Sequence, residues 1–352
     1  MNAHSTGGDV SITGSGHRIL VTGGSGAIGQ LVVRRLIEFG ARPTIFDVST
    51  KLPFLSDLDG RFDVVTGDVT DVDALETAMR EHGTTEVVHL AKLIAAAEKS
   101  PLDAVRVNVL GSACVLEAAR RADIRRVVQT STKYVYACFG PEHGAPTYQP
   151  ITEDYPKFEV PDDPGNPMYS TTNKMAEYFG VRFVRKYDME LVVVRFAHTW
   201  GPGKASTRPK VVREGEFRSA GTMASQLVEA AYRGEPYEIS EGGDEADDFV
   251  YNADLADGVS RAALSDRIAF QKGWREFHFG SGRISTLNEF VDAVAEHFPQ
   301  ADIKVGGGDL GRYSMNVVLL DNARAATELG YVPQYPPAGA VAHYVALLRA
   351  TE

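Results

Sequence analysis

The sequence predicts an α/β protein built on a doubly wound parallel sheet, with a smaller C-terminal α/β domain. Three observations carry this reading. From Arg18 to Phe196, short β-rich apolar runs alternate with helix-length patterns, the order that gives parallel strands covered by helices on both faces. A glycine-rich turn, TGGSGAIG, joins the first run to the first helical stretch. After Trp200 the regular alternation stops, beginning with the turn Gly201-Pro202-Gly203.

The expected strands are Arg18–Thr22, Pro43–Asp47, Phe62–Thr66, Glu86–Leu90, Arg126–Thr130 and Leu191–Phe196. The expected helices between them are Ala27–Phe39, Val72–His82, Pro101–Ala122 and Tyr169–Lys186. The stretch Phe139–Pro167 is rich in Pro, Gly and acids and reads as a long functional loop beside the crevice at the strand ends. Beyond Gly203 come a basic segment (Arg208, Lys210, Arg213, Arg218), a helix near Met223–Arg233, an acidic loop and a helix near Ala253–Ser265. A strand near Glu276–Gly280 and helices near Thr286–His297 and Ala338–Ala350 complete the chain. The implied division is a tail at 1–16, a dinucleotide-binding domain at 17–196 with about 243–272, and a substrate domain at 197–242 and 273–352.

Composition narrows the function. The chain has 352 residues, 43% hydrophobic and 24% charged, as in an ordinary globular enzyme. Its net charge of −11, with no lysine/arginine block, argues against a nucleic-acid partner. No apolar run reaches the roughly 20 residues that span a bilayer, and the first sixteen residues lack the basic and apolar regions of a signal peptide. Cys114 and Cys138 are too few for a disulfide framework. A cytoplasmic protein without membrane association is expected. Neither C-x-x-C nor H-E-x-x-H occurs, so no metal site is expected.

The segment Ile19–Asp47 orders strand, glycine turn, helix, strand and acid as a dinucleotide-binding β-α-β unit does. A pyrophosphate needs bare backbone N–H groups at a helix N-terminus. Gly23, Gly24, Gly26 and Gly29 leave that approach open, and Ala27 and Ile28 begin the helix. Asp47 lies eighteen residues after Gly29. A carboxylate there accepts both ribose hydroxyls of NAD and repels the 2′-phosphate of NADP. NAD is therefore the expected cofactor.

With these motifs the chain resembles the extended short-chain dehydrogenase/reductase family, the group of NAD-dependent epimerases and dehydratases. The resemblance covers nearly everything after residue 17. It rests on TGGSGAIG, GDVTD, HLA, NVLGSACVLEAA, TSTKYVYA, YSTTNKMAE, RFAHTWGPG, DDFVYNADLADGV and FGSGRISTLNEF. It implies a Rossmann-like NAD domain and a smaller substrate domain. It places Asp68 and Val69 at the adenine, Leu90 and Ala91 at the nicotinamide ribose side, and Asn108 in the helix supporting the active site. Read from the residues alone, Asp68 has a second role open to it, capping the next helix.

The family's catalytic pair is a tyrosine and a lysine four residues later, on one helix face. Here Tyr169 is followed at that spacing by Asn173, while Lys174 lies about 100° further round. Glu177 keeps register with Asn173, so the change is a substitution rather than a slipped alignment. A free tyrosine has a pKa of about 10 and is only ~0.1% phenolate at neutral pH. Asn173 can bond a ribose hydroxyl but brings no charge. Either Tyr169 acts as a neutral acid or another cation helps: Lys92, directly after HLA, and Lys133, next to Thr132, are the candidate replacements, with the positive nicotinamide of NAD⁺ contributing; the alternative for each lysine is a solvated surface charge. Thr132 matches the family's hydroxyl that bonds the reacting group; the alternative is a strand-end hydroxyl bonded to backbone. Tyr134 and Tyr136 alternate along a segment that reads as extended. Glu153 and Asp154 are either acid/base groups or exposed loop acids.

Two positions depart from the pattern tied to nucleotide-sugar phosphates. The family's asparagine after the sixth strand corresponds to His198, which either titrates or hydrogen-bonds the substrate or simply packs, and its arginine before D-[FY]-[IV] corresponds to Asp247. Asp244, Glu245, Asp247 and Asp248 would either repel a diphosphate or form a solvated loop facing away. Arg213 and its basic neighbours are the candidate anion contacts.

The expected function is an NAD-dependent epimerase or dehydratase that transfers hydride at a hydroxylated carbon of a small molecule, a sugar derivative by resemblance. Tyr169 is its acid/base. A dehydrogenase with exchanging cofactor is one alternative. An NAD-binding sensor or scaffold with weakened chemistry is another, motivated by Asn173. The resemblance implies a homodimer paired through the helices near Pro101–Ala122 and Tyr169–Lys186.

Overall fold

The computed structural model describes residues 12–94, 99–136, 150–157, 167–205, 220–308 and 318–351. Its centre is a seven-stranded sheet in which every pair is parallel. The first six strands are β1 (Arg18–Thr22), β2 (Arg42–Asp47), β3 (Asp63–Thr66), β4 (Glu86–His89), β5 (Arg126–Thr132) and β6 (Glu190–Phe196). They lie in the order β3-β2-β1-β4-β5-β6, and β11 (Trp274–Phe279) adds to the open edge of β6. The strand order reverses between β1 and β4, which opens a ligand crevice at the carboxyl ends of the strands.

Alternation along each strand divides two apolar layers. Ile19, Val21, Ile45, Val88, Val128 and Val192 face α1 (Ala27–Glu38) and α7 (Asn252–Leu264). Leu20, Phe46, Val87, Val127 and Leu191 face α2 (Val72–Glu81), α4 (Gly111–Arg121) and α5 (Pro167–Tyr187). Strands buried on both faces are near-continuously apolar, which is why these runs are readable. The helix expected over Pro101–Ala122 has three parts: α3 (Pro101–Ala104), a π-helical stretch (Val105–Leu110) and α4.

The smaller unit packs α6 (Ala220–Arg233), α8 (Leu287–His297) and α10 (Pro337–Ala350) around Trp200, Phe249, Tyr251 and Phe290. Its strands are short. β7 (His198–Trp200) pairs with β10 (Phe249–Tyr251), β8 (Tyr237–Ile239) with β13 (Ile303–Val305), and β9 (Ala246–Asp247) with β12 (Ser285–Thr286). Helix α9 (Ala323–Leu329) lies against β11.

Several expectations change. The strand placed in the substrate domain, β11, belongs to the large sheet, because Leu191–Phe196 otherwise presents an unpaired edge. Strand β5 runs on to Thr132, since Ser131 and Thr132 still pair with Arg195 and Phe196. Residues 14–16, expected in the tail, join the fold: Gly14 N donates to Phe39 O at 2.7 Å. Lys133–Tyr136 form a 3₁₀ turn rather than an extended segment. Of the expected loop Phe139–Pro167, residues 139–149 and 158–166 lie outside the described residues.

Candidate active site

The glycine turn is shaped by close backbone approach. Gly23 has φ +72°, and a Cβ there would lie 2.6 Å from Ala91 N; one on Gly29 would lie 2.2 Å from Gly23 O. Gly26 caps α1 without a side-chain hydrogen bond. The N–H groups of Ala27, Ile28 and Gly29 therefore find no acceptor among the described residues, and they are the groups a pyrophosphate takes. Asp47, closing β2, accepts from Ser25 N at 3.0 Å and Ser49 N at 3.1 Å. Both of its oxygens are thus oriented beside the turn, with lone pairs left for a ribose diol. The cradle fits NAD.

Asp68 accepts from Thr70 N and Thr70 Oγ1 and pairs with Arg106 at 3.1 Å. The Thr70 N–H is the main cause of its lowered pKa, with Arg106 adding to it. It does not cap the next helix; Asp71 does, accepting from Asp73 N and Ala74 N. Val69 is buried, packed where a Cβ on Gly111 would lie 2.8 Å from its Cγ2. Leu90 is half-buried, and Ala91 fronts Gly23.

Thr132 ends β5, and its Oγ1 accepts from Tyr134 N at 3.3 Å. Ser170 Oγ, on α5, donates to Tyr134 O at 2.7 Å. The turn after Thr132 is therefore tied to the first turn of α5, where Tyr169 packs with Ala104 against Leu93, Tyr134 and Met168. Burial pushes the Tyr169 phenol up to about 12, against a smaller opposing effect of its hydrogen bond with Asn173. Asn173 Nδ2 donates to Tyr169 O at 2.8 Å, while its Oδ1 is buried without a partner.

Neither candidate lysine is a solvated surface charge. Lys92 Nζ donates to Ser112 Oγ at 2.8 Å and to Asn108 O at 3.1 Å. Burial draws its pKa down to about 7, with Glu177 opposing. Asn108 is fully buried in the π-helical stretch; its side chain bonds Leu93 N, Leu93 O and Thr172 Oγ1. Lys133 is fully buried and pairs with Asp247, whose other oxygen lies 2.9 Å from His198 Nδ1. With Nδ1 donating, His198 Nε2 is an acceptor, and it faces Gly221 N at 3.4 Å. Burial lowers the His198 pKa, and Asp247 only partly offsets this. Burial alone would raise Asp247, but Lys133 and His198 outweigh it and hold the carboxyl low.

The acidic run is consequently neither a solvated loop nor an unscreened negative field. Glu245, Asp247 and Asp248 are buried. Asp248 accepts from Ser281 N, Ser281 Oγ and Leu320 N, and burial pushes it up to about 6. Asp244 accepts from Asn288 Nδ2 and Gly308 N. Of the two loop acids, Asp154 is exposed but Glu153 is buried, accepting from His278 N and facing Arg324. Arg213 and its basic neighbours lie outside the described residues.

Two features escaped the sequence reading. Arg195, fully buried in β6, forks onto Glu177 with both contacts at 3.0 Å, and Lys157 adds a third at 2.6 Å. This pins α5 to the sheet one turn beyond Asn173. The signal was an arginine inside the apolar run VVVRF. Lys204 is the second. It follows Gly203, where a Cβ would lie 3.0 Å from Ala27 Cα. Burial lowers its pKa to about 8, and no carboxylate pairs with it among the described residues. A lysine in the turn GPGK was visible, but its proximity to the glycine loop was not.

The family model for the NAD dependent epimerase/dehydratase family matches residues 19–270. The chain belongs to this family, and NAD is its cofactor. UDP-glucose 4-epimerase of Mycolicibacterium smegmatis is 29% identical over 349 residues, 94% of this chain and 98% of that protein. UDP-arabinose 4-epimerase 1 of Arabidopsis thaliana is 26% identical, covering 78% of this chain and 66% of that protein. Among solved structures, Thermotoga maritima UDP-glucose 4-epimerase with UDP-glucose superposes with a TM-score of 0.74 at 22% identity, covering 95% of this chain and 99% of that one. Thermus thermophilus UDP-glucose 4-epimerase with NAD gives 0.71 at 24%, covering 94% and 99%. Family membership makes the chain an enzyme of the NAD-dependent epimerase/dehydratase type, and these structures share its Rossmann-like fold. No helix among the described residues is long and apolar enough to cross a membrane.

Proposed function

We propose that this enzyme epimerises a hydroxylated ring carbon of a sugar derivative, with Tyr169 as acid/base and Thr132 orienting the reacting oxygen. The observation that carries this reading is the shared anchoring of Tyr169 and Thr132 around Tyr134, at the carboxyl end of the parallel sheet. The relatives named above act on UDP-linked hexose and pentose. Bound NAD supplies the hydride acceptor. In its phenolate form Tyr169 takes the hydroxyl proton as the carbonyl forms and returns it when the carbon is reduced again. Thr132 Oγ1 bonds the same oxygen. Arg195, Glu177 and Lys157 hold the helix that presents Tyr169. Residues 17–196, about 243–272 and β11 form the NAD-binding part, and the cluster around α6, α8 and α10 forms the substrate side. Lys204 supplies positive charge beside the glycine turn, and His198 supplies a hydrogen-bonding edge on the substrate side.

The test is incubation with UDP-hexoses, UDP-pentoses and the free sugars, followed by proton NMR of the products and assay of nucleotide released on denaturation. Tightly held NAD and inversion at one carbon support the reading. Release of NADH with a keto product indicates a dehydrogenase instead. Asn173 favours a second reading, an NAD-binding sensor, because Tyr169 at about 12 has no cation at the usual position. Tyr169→Phe separates the two: an epimerase loses about a thousandfold in kcat with NAD affinity intact, whereas a sensor loses nothing.

The reading includes a homodimer in the cytoplasm. Leu102 (85% exposed), Leu110, Met175, Tyr178 and Phe179 crowd the outer faces of the α3–α4 helix and α5, which pack against each other. A broad apolar face on adjacent helices suits a second copy of the chain.

A further inference from the structure

One acceptor on the helix of Tyr169 and one donor on the segment that follows β4 are left over. Asn173 Oδ1 is buried and bonds nothing among the described residues. Lys92 Nζ carries three N–H groups, of which two go to Ser112 Oγ and Asn108 O. No carboxylate pairs with it among the described residues. The two groups share one scaffold. Asn108 clamps the backbone of Leu93 in both directions and bonds Thr172, the neighbour of Asn173. Leu93 packs against Tyr169. On its other side, Lys92 follows Ala91, which abuts Gly23 of the glycine turn. The backbone of Lys92 therefore lies between a residue that abuts the glycine turn and one that packs on the acid/base tyrosine. The scaffold includes a π-helical stretch, a distortion common at functional sites.

We propose that Lys92, at the exit of β4, supplies the cation that α5 lacks at position 173, and that it shares a hydroxyl of the nicotinamide ribose with Asn173. The valences match. A hydroxyl donates one hydrogen bond and accepts others. Its proton goes to Asn173 Oδ1, and its lone pair takes the third N–H of Lys92. A lysine at 173 would donate; here that position accepts, and the donor comes from the opposite side. Lys133 cannot fill the role, because its ammonium is paired with Asp247. The titratable groups around Lys92 are His89, reached through Ser112, then Glu177 and Tyr169. Burial has already drawn Lys92 close to neutral pH, so its charge responds to what binds beside it.

The proposal rests on the NAD-dependent reading but not on the identity of the sugar, so its test uses NAD⁺ alone. NAD⁺ is titrated calorimetrically into wild type, Lys92→Met, Asn173→Lys and the double variant. Losing one charge-assisted hydrogen bond weakens binding about tenfold to a hundredfold. Lys92→Met should show this loss, and adding Asn173→Lys should restore most of it. Wild-type affinity in Lys92→Met overturns the proposal, as does a folded double variant no better than the single one. A second measurement needs no variant. Amine-directed labelling of the native protein, read by mass spectrometry, should show Lys92 protected by NAD⁺ while exposed Lys51 and Lys99 are not; equal labelling of Lys92 with and without NAD⁺ overturns it. An inactive sugar assay with these two results intact refutes the epimerase reading and leaves Lys92 in place.

Discussion

Replacing Lys133 by methionine gives the most decisive test of the site's electrostatics. The Lys133 side chain is 1% exposed and that of Asp247 is 11% exposed, so little water is available to either. Deleting one member of a buried pair costs about 3–5 kcal/mol, because the remaining charge stays desolvated. In Lys133→Met the remaining charge is Asp247, with His198 2.9 Å away as its other partner. Lys133 also helps to lower the His198 pKa, so its loss lets His198 rise and pair with Asp247 as imidazolium. A raised histidine pKa contributes stability that is complete below its unfolded value of about 6.5 and lost as pH climbs through the folded value. Lys133→Met should therefore gain stability from pH 8 to pH 6 relative to wild type. The assay is a denaturant double-mutant cycle with Asp247→Asn, run at both pH values. Each single change should cost several kcal/mol, and the double change should cost less than their sum by about 2 kcal/mol or more. Additive losses, or a single loss below about 1 kcal/mol, would refute the claim that this pair is desolvated and coupled.

Three further outcomes follow from geometry. Gly29→Ala puts a Cβ 2.2 Å from Gly23 O; the turn must open, and NAD⁺ binding by calorimetry should fall beyond detection while the sheet's circular dichroism persists. Asp47→Asn removes the charge that opposes a 2′-phosphate while keeping an acceptor for Ser25 N, so the NAD⁺/NADP⁺ affinity ratio should drop about tenfold or more. Phe179→Glu places a charge on the apolar face of α5, and light scattering should show half the mass of the wild-type particle; an unchanged mass counts against that interface.

How much of this was legible in the sequence depends on the range of the physics involved. Strands buried on both faces declare themselves by unbroken apolar runs, so β1, β4, β5 and β6 are found within two residues of their observed ends. The glycine turn and Asp47 are equally local, since their spacing alone carries the geometry. The short strands β7 to β10 are not readable: three residues or fewer have no period, and their pairing is decided by partners far away in sequence, such as Phe249 for His198 and Ile303 for Tyr237. Charge burial is illegible for the same reason. Lys133 looks like a surface lysine until the chain brings Asp247 to it across 114 residues, and Glu153 looks like a loop acid until His278 arrives. The assignment of β11 to the substrate side failed because sequence proximity to α8 outweighed the open edge of β6, which only the sheet order reveals.

The two departures from the family pattern belong together. Position 173 loses a positive charge, and position 247 exchanges a positive charge for a negative one. Left alone, these changes would strip the crevice of cations and leave a buried carboxylate facing the substrate. A lysine stands by each instead: Lys92 beside the Tyr169–Asn173 helix, and Lys133 on Asp247. The compensation is unequal. Lys133 and Asp247 cancel, so the substrate side gains no net charge from that pair, whereas the direct hydrogen bonds of Lys92 go to Ser112 Oγ and Asn108 O, and its charge, drawn near neutral pH by burial, responds to what binds beside it. On the proposed role of Lys92, the cofactor end can regain a cation when NAD binds, while the substrate end does not. A phosphate at the substrate end must then be held by groups other than position 247. Specificity for the group attached to the sugar is accordingly where this enzyme should differ most from the UDP-sugar epimerases it resembles, and the ring chemistry is where it should differ least.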